Sequence, residues 1–193
     1  LFKYGVNINT DLLQDLNNIK IPVQATMGGS RGGYTLANWP FYIKAEPQTK
    51  HPIVNGINPI WFRFASSIDT VGSSHLDKDV LLTTSPRSRS LPNPARYSHA
   101  DAKRKPNPQL YRGGKKPIAV LTKGRYESIY KNREAEIRLM AQKGVLEGLT
   151  TDSTLFAPRQ ASAIIFISDG DVIRNGVDPR TGRPYDLGRN RFE

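Results

Sequence analysis

The stretch Ala161-Ser-Ala-Ile-Ile-Phe-Ile-Ser-Asp-Gly-Asp-Val-Ile-Arg-Asn175 decides the reading of the fold, because an uninterrupted apolar run ends there in two carboxylates. From Ala163 to Ile167 every residue is apolar, and most are β-branched or aromatic. A strand covered on both faces has that composition, so this one is expected in the middle of a sheet. Ser168-Asp169-Gly170-Asp171 follows at once and puts Asp169 and Asp171 at the strand's carboxyl edge, where open α/β sheets place ligands. The stretch predicts a mixed, mostly parallel α/β sheet with few helices, long loops and a candidate site at its edge.

The 193 residues suffice for one domain with a sizeable core, and a single domain over 1–193 is expected. The chain opens at Leu1 rather than Met, on a segment that already reads as folded, and is taken as a piece of a longer parent. No stretch approaches the roughly 20 apolar residues of a membrane-spanning helix, and no signal-peptide pattern is present. The absence of cysteine excludes disulfides, thiolate zinc sites and a thiol nucleophile. Sixteen glycines and 14 prolines, with hydrophobic residues at 37%, predict long irregular connections.

The charge is concentrated. Of the net +11, all but one unit falls between Pro86 and Arg125, where eleven basic residues stand against Asp101 alone. A basic loop excursion is expected at about 86–116, with its exposed cations at Arg96, Lys103, Arg104, Lys105, Arg112, Lys115 and Lys116. Three readings compete for it. It is a solvated, self-repelling loop, or it touches an acidic membrane surface or partner protein, or it binds nucleic acid with Tyr97 and Tyr111 interleaved among the cations. No recognition helix or RNA-binding motif supports the last.

The remaining elements follow from pattern. Tyr4 to Asn9 alternates toward a strand, and Thr10 caps a predicted short helix over Asp11–Asn17 with Leu12, Leu13 and Leu16 on one face. Ile21–Thr26, Ile60–Ala65, Val80–Thr84 and Lys116–Thr122 read as extended, Tyr34–Pro40 as loop, and Arg125–Lys143 as helical around Ile129, Arg133, Ile137 and Met140. The glycine cluster Met27–Gly33 lacks the lysine, the Ser/Thr and the following helix of a phosphate loop. Trp39-Pro-Phe41-Tyr42 is an aromatic cluster that serves either as a core edge and interface anchor or as a stacking platform for sugars or bases.

Asp169 and Asp171 could hold a divalent cation, but the calcium-loop pattern fails at Ile173 and no Asp-x-Ser-x-Ser partner motif occurs. The alternative is that they cap turns or pair with Arg174. His51, His75 and His99 show no ligand spacing, and no nucleophile, base and orienting set is visible. These residues assign no cofactor, no metal and no catalytic group. They leave Trp39, Phe41, Tyr42, Asp169, Asp171, Arg174 and Asn175 as candidate ligand or partner contacts.

Taken in order, Leu1-Phe-Lys-Tyr-Gly-Val-Asn-Ile-Asn9, Asp11-Leu-Leu-Gln-Asp15, Trp39-Pro-Phe-Tyr42, His51-Pro-Ile-Val54, Phe64-Ala-Ser-Ser-Ile-Asp69, Leu81-Leu-Thr-Thr-Ser85, Pro117-Ile-Ala-Val-Leu121 and Ile167 to Asn175 form a set. The set resembles the gliding-motility-associated auxiliary component of ABC transporters of Bacteroidetes. The resemblance implies an extracytoplasmic domain at the periplasmic face of the inner membrane. It implies anchoring by transmembrane helices outside this piece, and work with permease and ATPase subunits. It further implies kinship with an α/β domain of an intraflagellar-transport protein, whose sheet is glutamine amidotransferase-like or flavodoxin-like. On that kinship this piece is an incomplete part of a larger domain. Relatives of the wider fold use a cysteine nucleophile that this chain lacks, which implies binding or scaffolding rather than catalysis. A basic nucleic-acid-binding module, and a metal-dependent enzyme using Asp169 and Asp171, stand as alternatives.

Overall fold

The computed structural model describes residues 1–24, 33–48, 50–72, 75–128, 132–144, 161–174, 176–178 and 180–185. In chain order the strands are β1 (Val6–Ile8), β2 (Asp11–Asp15), β3 (Asn18–Gln24), β4 (Tyr34–Pro47), β5 (Ile60–Arg63), β6 (Ile68–Thr70), β7 (Asp77–Thr83), β8 (Ser88–Pro92), β9 (Pro117–Gly124) and β10 (Ser162–Ile167). Among the described residues there is one α-helix, α1 (Glu134–Gln142), and there are 3-10 turns at Phe2–Tyr4, His99–Lys103 and Pro108–Leu110. The largest sheet has the order β10-β9-β7-β4-β3, with β5 also on β4. In separate two-stranded sheets, β1 pairs with β6 and β2 with β8.

The expectation of a mostly parallel α/β sheet of glutamine amidotransferase-like or flavodoxin-like kind is overturned, because the fold is mostly antiparallel β. The β2·β8, β3·β4, β4·β5 and β4·β7 ladders all run antiparallel. Just past β10, the Ser168 N–H donates to the Ile118 carbonyl near the start of β9 at 3.1 Å, so these neighbours also run in opposite directions. Strands joined as antiparallel neighbours need no helical crossover, and one face can be left to water.

The organising strand itself is misplaced by the sequence reading. β10 stands at the end of the sheet order and alternates between half-buried Ile164 and Phe166 and exposed Ile165 and Ile167. The strand with the composition of a doubly covered core element is β9, whose Ile118, Ala119, Val120 and Leu121 are all buried.

Two further elements differ. Asp11–Asp15 is a strand, not a helix: Leu13 is sealed while Leu12 packs half-buried into a different aromatic core, as opposite faces of a strand require. Tyr34–Pro40 is no loop but the first half of the 14-residue β4, whose odd positions Trp39, Phe41, Ile43 and Ala45 point inward. The predicted long helix shrinks to α1, of which only Ile137 is buried. Residues 27–32, Ile129 and residues 145–160 lie outside the described residues.

The chain divides into two compact units. One comprises Leu1–Asn7, Asp69–Asp79 and Val120–Phe166. Within it the Val71 N–H donates to the Gly5 carbonyl (2.9 Å), Tyr4 packs on Tyr126 (ring centroids 5.6 Å), and Lys123 pairs with Asp79 at 2.8 Å. The hydrogen bond that the Lys123 ammonium donates to Asp79 raises the Lys123 pKa. The other comprises Ile8–Ile68, Val80–Ala119 and Ile167–Glu193 and holds the candidate site. Its core is led by Trp39, Phe62, Leu13, Ile43, Ile68 and Leu81. Each such side chain contributes roughly 1.5–3 kcal/mol by leaving water.

Candidate functional site

Inward-pointing Trp39 and Phe41 on β4 seed an aromatic cluster, with ring centroids 5.1 Å apart. Phe64 joins it from the end of β5. This residue has φ 50, in the left-handed region that aromatic side chains seldom adopt. The turn that results sets its ring against Phe41 (5.8 Å), Tyr42 (5.5 Å) and Tyr97 (5.0 Å) at once. Tyr97 also meets Trp39 and Phe41 and remains half exposed, so it forms the outer wall of the cluster. Val23 and Ala102 complete the buried set.

A second stack lies across the β4·β5 ladder, where Tyr42 is in register with Arg63. The Arg63 guanidinium stands 4.0 Å from the Trp61 ring centre and 5.8 Å from that of Tyr42. Trp61 and Arg63 are two apart on one strand and so share a face. The indole N–H of Trp61 is sealed from solvent and meets no acceptor among the described residues.

Asp169 joins the organising stretch to this stack. The residue is only 8% exposed, and its carboxylate accepts the Arg63 backbone N–H on one oxygen and the Asp171 N–H on the other, both at 2.7 Å. Asp171 is exposed and faces Arg174 at 3.8 Å, a contact worth little in water. Asn175 lies outside the described residues. No group of three or more potential metal ligands occurs among the described residues. Trp39, Phe41, Tyr42 and Asp169 are thus brought around β5, whereas Asp171 and Arg174 point away to solvent.

A polar spine runs along β2. Asp15 is fully buried and accepts N–H bonds from Asn17 (2.8 Å) and Ser85 (2.6 Å) and the Ser85 hydroxyl (2.6 Å). Burial raises its carboxyl pKa, against the pull of these donors. Gln14 accepts from Arg89 and from the Tyr111 hydroxyl, and Arg89 stands over the Tyr111 ring at 5.0 Å. Burial pushes the Tyr111 phenol up, with Arg89 opposing it. Asp11 accepts from the Ser67 N–H and hydroxyl and from Ser90.

The basic segment is pinned to this framework. β8 pairs along β2, with Leu13 opposite Ser90. The buried Ala102 and Tyr111 anchor its two 3-10 turns, and the Gly113 N–H donates to Ser88 O at 2.8 Å. Arg96, Lys103, Arg104, Lys105, Arg112 and Lys115 are exposed and Lys116 is half-buried. Arg104 pairs with Asp101 at 3.5 Å, and Lys115 donates to Gln48.

Residues 1–193 match the family model described as an ABC-type uncharacterized transport system. The chain belongs to this family. No curated protein and no solved structure matches it. Membership of this family makes the chain an auxiliary component of an ABC transport system.

Sequence reasoning passed over Trp61, Arg63 and Phe64 in this family member. The alternation Trp61-Phe-Arg63 was the available signal, since a strand with Phe62 inward must put Trp61 and Arg63 together on its other face. It also passed over Asp15, whose partner Ser85 lies 70 residues away and leaves no local trace.

Proposed function

We propose that this chain is a non-enzymatic binding or scaffolding component of an ABC transport system of the gliding-motility kind. It works at the periplasmic face of the inner membrane, where helices elsewhere in its parent chain hold it beside permease and ATPase subunits. The ordered sequence blocks support the gliding-motility assignment, and membership of the transport family supports the partners. The observation that carries binding over catalysis is the state of the inward carboxylates. Asp11, Asp15 and Asp169 each already accept two or three N–H or O–H donors of this same chain, so none is poised as a base or ligand.

The Trp61–Arg63–Tyr42 stack is the proposed partner contact. It offers a half-buried cation on an aromatic support, a combination enriched where proteins meet. An unpaired sealed donor such as the Trp61 N–H costs about 1–3 kcal/mol, and a structure retains such a cost where a surface serves something besides stability. Co-purification of the chain with its permease and ATPase subunits tests this. Wild type should be retained on the permease, and Arg63→Ala, which leaves the Asp169 bond to its backbone intact, should weaken retention about tenfold or more. Full retention by Arg63→Ala would move the contact elsewhere, and a failure of wild type to bind either subunit would overturn the reading.

A further inference from the structure

Between residues 96 and 116 the chain carries seven cations against one acid, Asp101. Asp101 is already engaged, because it accepts the Ser98 N–H at 2.8 Å to cap the 3-10 turn and pairs with Arg104. A solvated loop relieves such self-repulsion by spreading out. This segment is instead folded back and fastened at Ala102, Tyr111 and Gly113, so the charge is held in place. Within it Leu110 stands 55% exposed and Tyr97 49% exposed, the two large apolar side chains offered among the cations.

We propose that residues 96–116 form a preformed docking surface for an anionic phospholipid bilayer. Lipid headgroups accept point charges without a fixed geometry, which suits lysines and arginines carried on short turns, and Leu110 is placed to enter the interface. Nucleic acid fits less well. Single strands bind basic grooves through aromatic faces open to stacking, yet the Tyr97 ring is engaged by Trp39, Phe41 and Phe64, and Tyr111 is buried under Arg89. The inference rests on the proposed function only for bringing the chain near a membrane, and lipid binding is read without any transporter subunit.

The test is flotation of the purified chain with vesicles of phosphatidylcholine containing about 30% phosphatidylglycerol, at about 0.1 M salt, against vesicles of phosphatidylcholine alone. The chain should float only with the anionic vesicles and should be released as salt is raised. Lys103→Ser, Arg104→Ser and Lys105→Ser combined should lower partitioning at least about tenfold. These side chains are exposed, so an unchanged melting temperature verifies the fold. Lys50→Ser, Arg174→Ser and Arg180→Ser, which remove the same charge elsewhere, should lower it far less. Equal loss in both triple variants, flotation with neutral vesicles, or tight salt-sensitive binding to DNA or RNA with no flotation would each overturn the proposal.

Discussion

Asp169→Ala distinguishes a structural clasp from a cation site. The native carboxylate accepts two backbone N–H bonds at 2.7 Å and is almost sealed from water. Truncation leaves the Arg63 N–H without its acceptor at the end of β5, while water can replace the bond to Asp171 N–H in its exposed turn. A hydrogen bond to a charged group contributes about 1.5–3 kcal/mol net, and an orphaned buried donor costs about as much. The expected loss is therefore about 2–3 kcal/mol, a fall in melting temperature of roughly 4–12 °C for a chain of this size. Asp171→Ala removes only an exposed pair at 3.8 Å and should stay within about 0.5 kcal/mol. Thermal melts of wild type, Asp169→Ala, Asp169→Asn and Asp171→Ala, each with and without EDTA or added magnesium or calcium, decide the matter. The amide variant should fall between wild type and Asp169→Ala, because its oxygen can still accept one of the two N–H groups. Equal losses at 169 and 171, or a wild-type melt that moves by several degrees with the cation, would refute the clasp and revive a metal role.

Two other residues give sharp expectations. Burial raises the Asp15 carboxyl above its ordinary 3.8, so the folded chain keeps a proton that the unfolded chain releases. Stability from this group is full below that pH and is lost as pH rises through the raised value. Asparagine does not titrate, so the stability of Asp15→Asn relative to wild type should climb from about pH 4 upward, and a difference flat with pH in denaturant titrations would contradict the assignment. At Gly113 a methyl group would stand 2.9 Å from the Ser88 carbonyl oxygen, a backbone atom that cannot swing aside. Gly113→Ala should cost about 1–3 kcal/mol and speed tryptic cleavage near Lys103–Lys105, and unchanged cleavage would show that this anchor does not hold the segment.

The strands legible in the sequence are those whose apolar residues cluster locally, such as β5, β7 and β9. β10 was legible as a strand and wrong in position, because an apolar run reports hydrophobicity but not how many neighbours a strand has. Leu12, Leu13 and Leu16 fit a helical face and also a strand covered on both sides, and pairing with β8 settled between them. That partner, Ser88-Arg-Ser-Leu-Pro92, looks like loop by composition, and its strand state depends on β2, more than 70 residues earlier. The same distance problem governs the site. Asp169 stood out locally, but its task is visible only when Arg63, 106 residues away, is set beside it.

The disposition of charge follows from the strand architecture. Irregular ends of antiparallel strands leave N–H groups without ladder partners, and a carboxylate satisfies two or three of them where a lysine, having only donors, satisfies none. Acids are therefore drawn inward: Asp15 to Asn17 and Ser85, Asp169 to Arg63 and Asp171, and half-buried Asp11 to Ser67. Each acid so placed is withdrawn from the surface and from its neutralising role there, so the exterior near the basic segment is more positive than the formal balance of 28 basic and 17 acidic residues conveys. The bonds that suit these carboxylates to holding strand ends occupy their acceptor oxygens with groups of the same chain. The same arrangement leaves the cations outside, where the docking proposed for an anionic bilayer would use them.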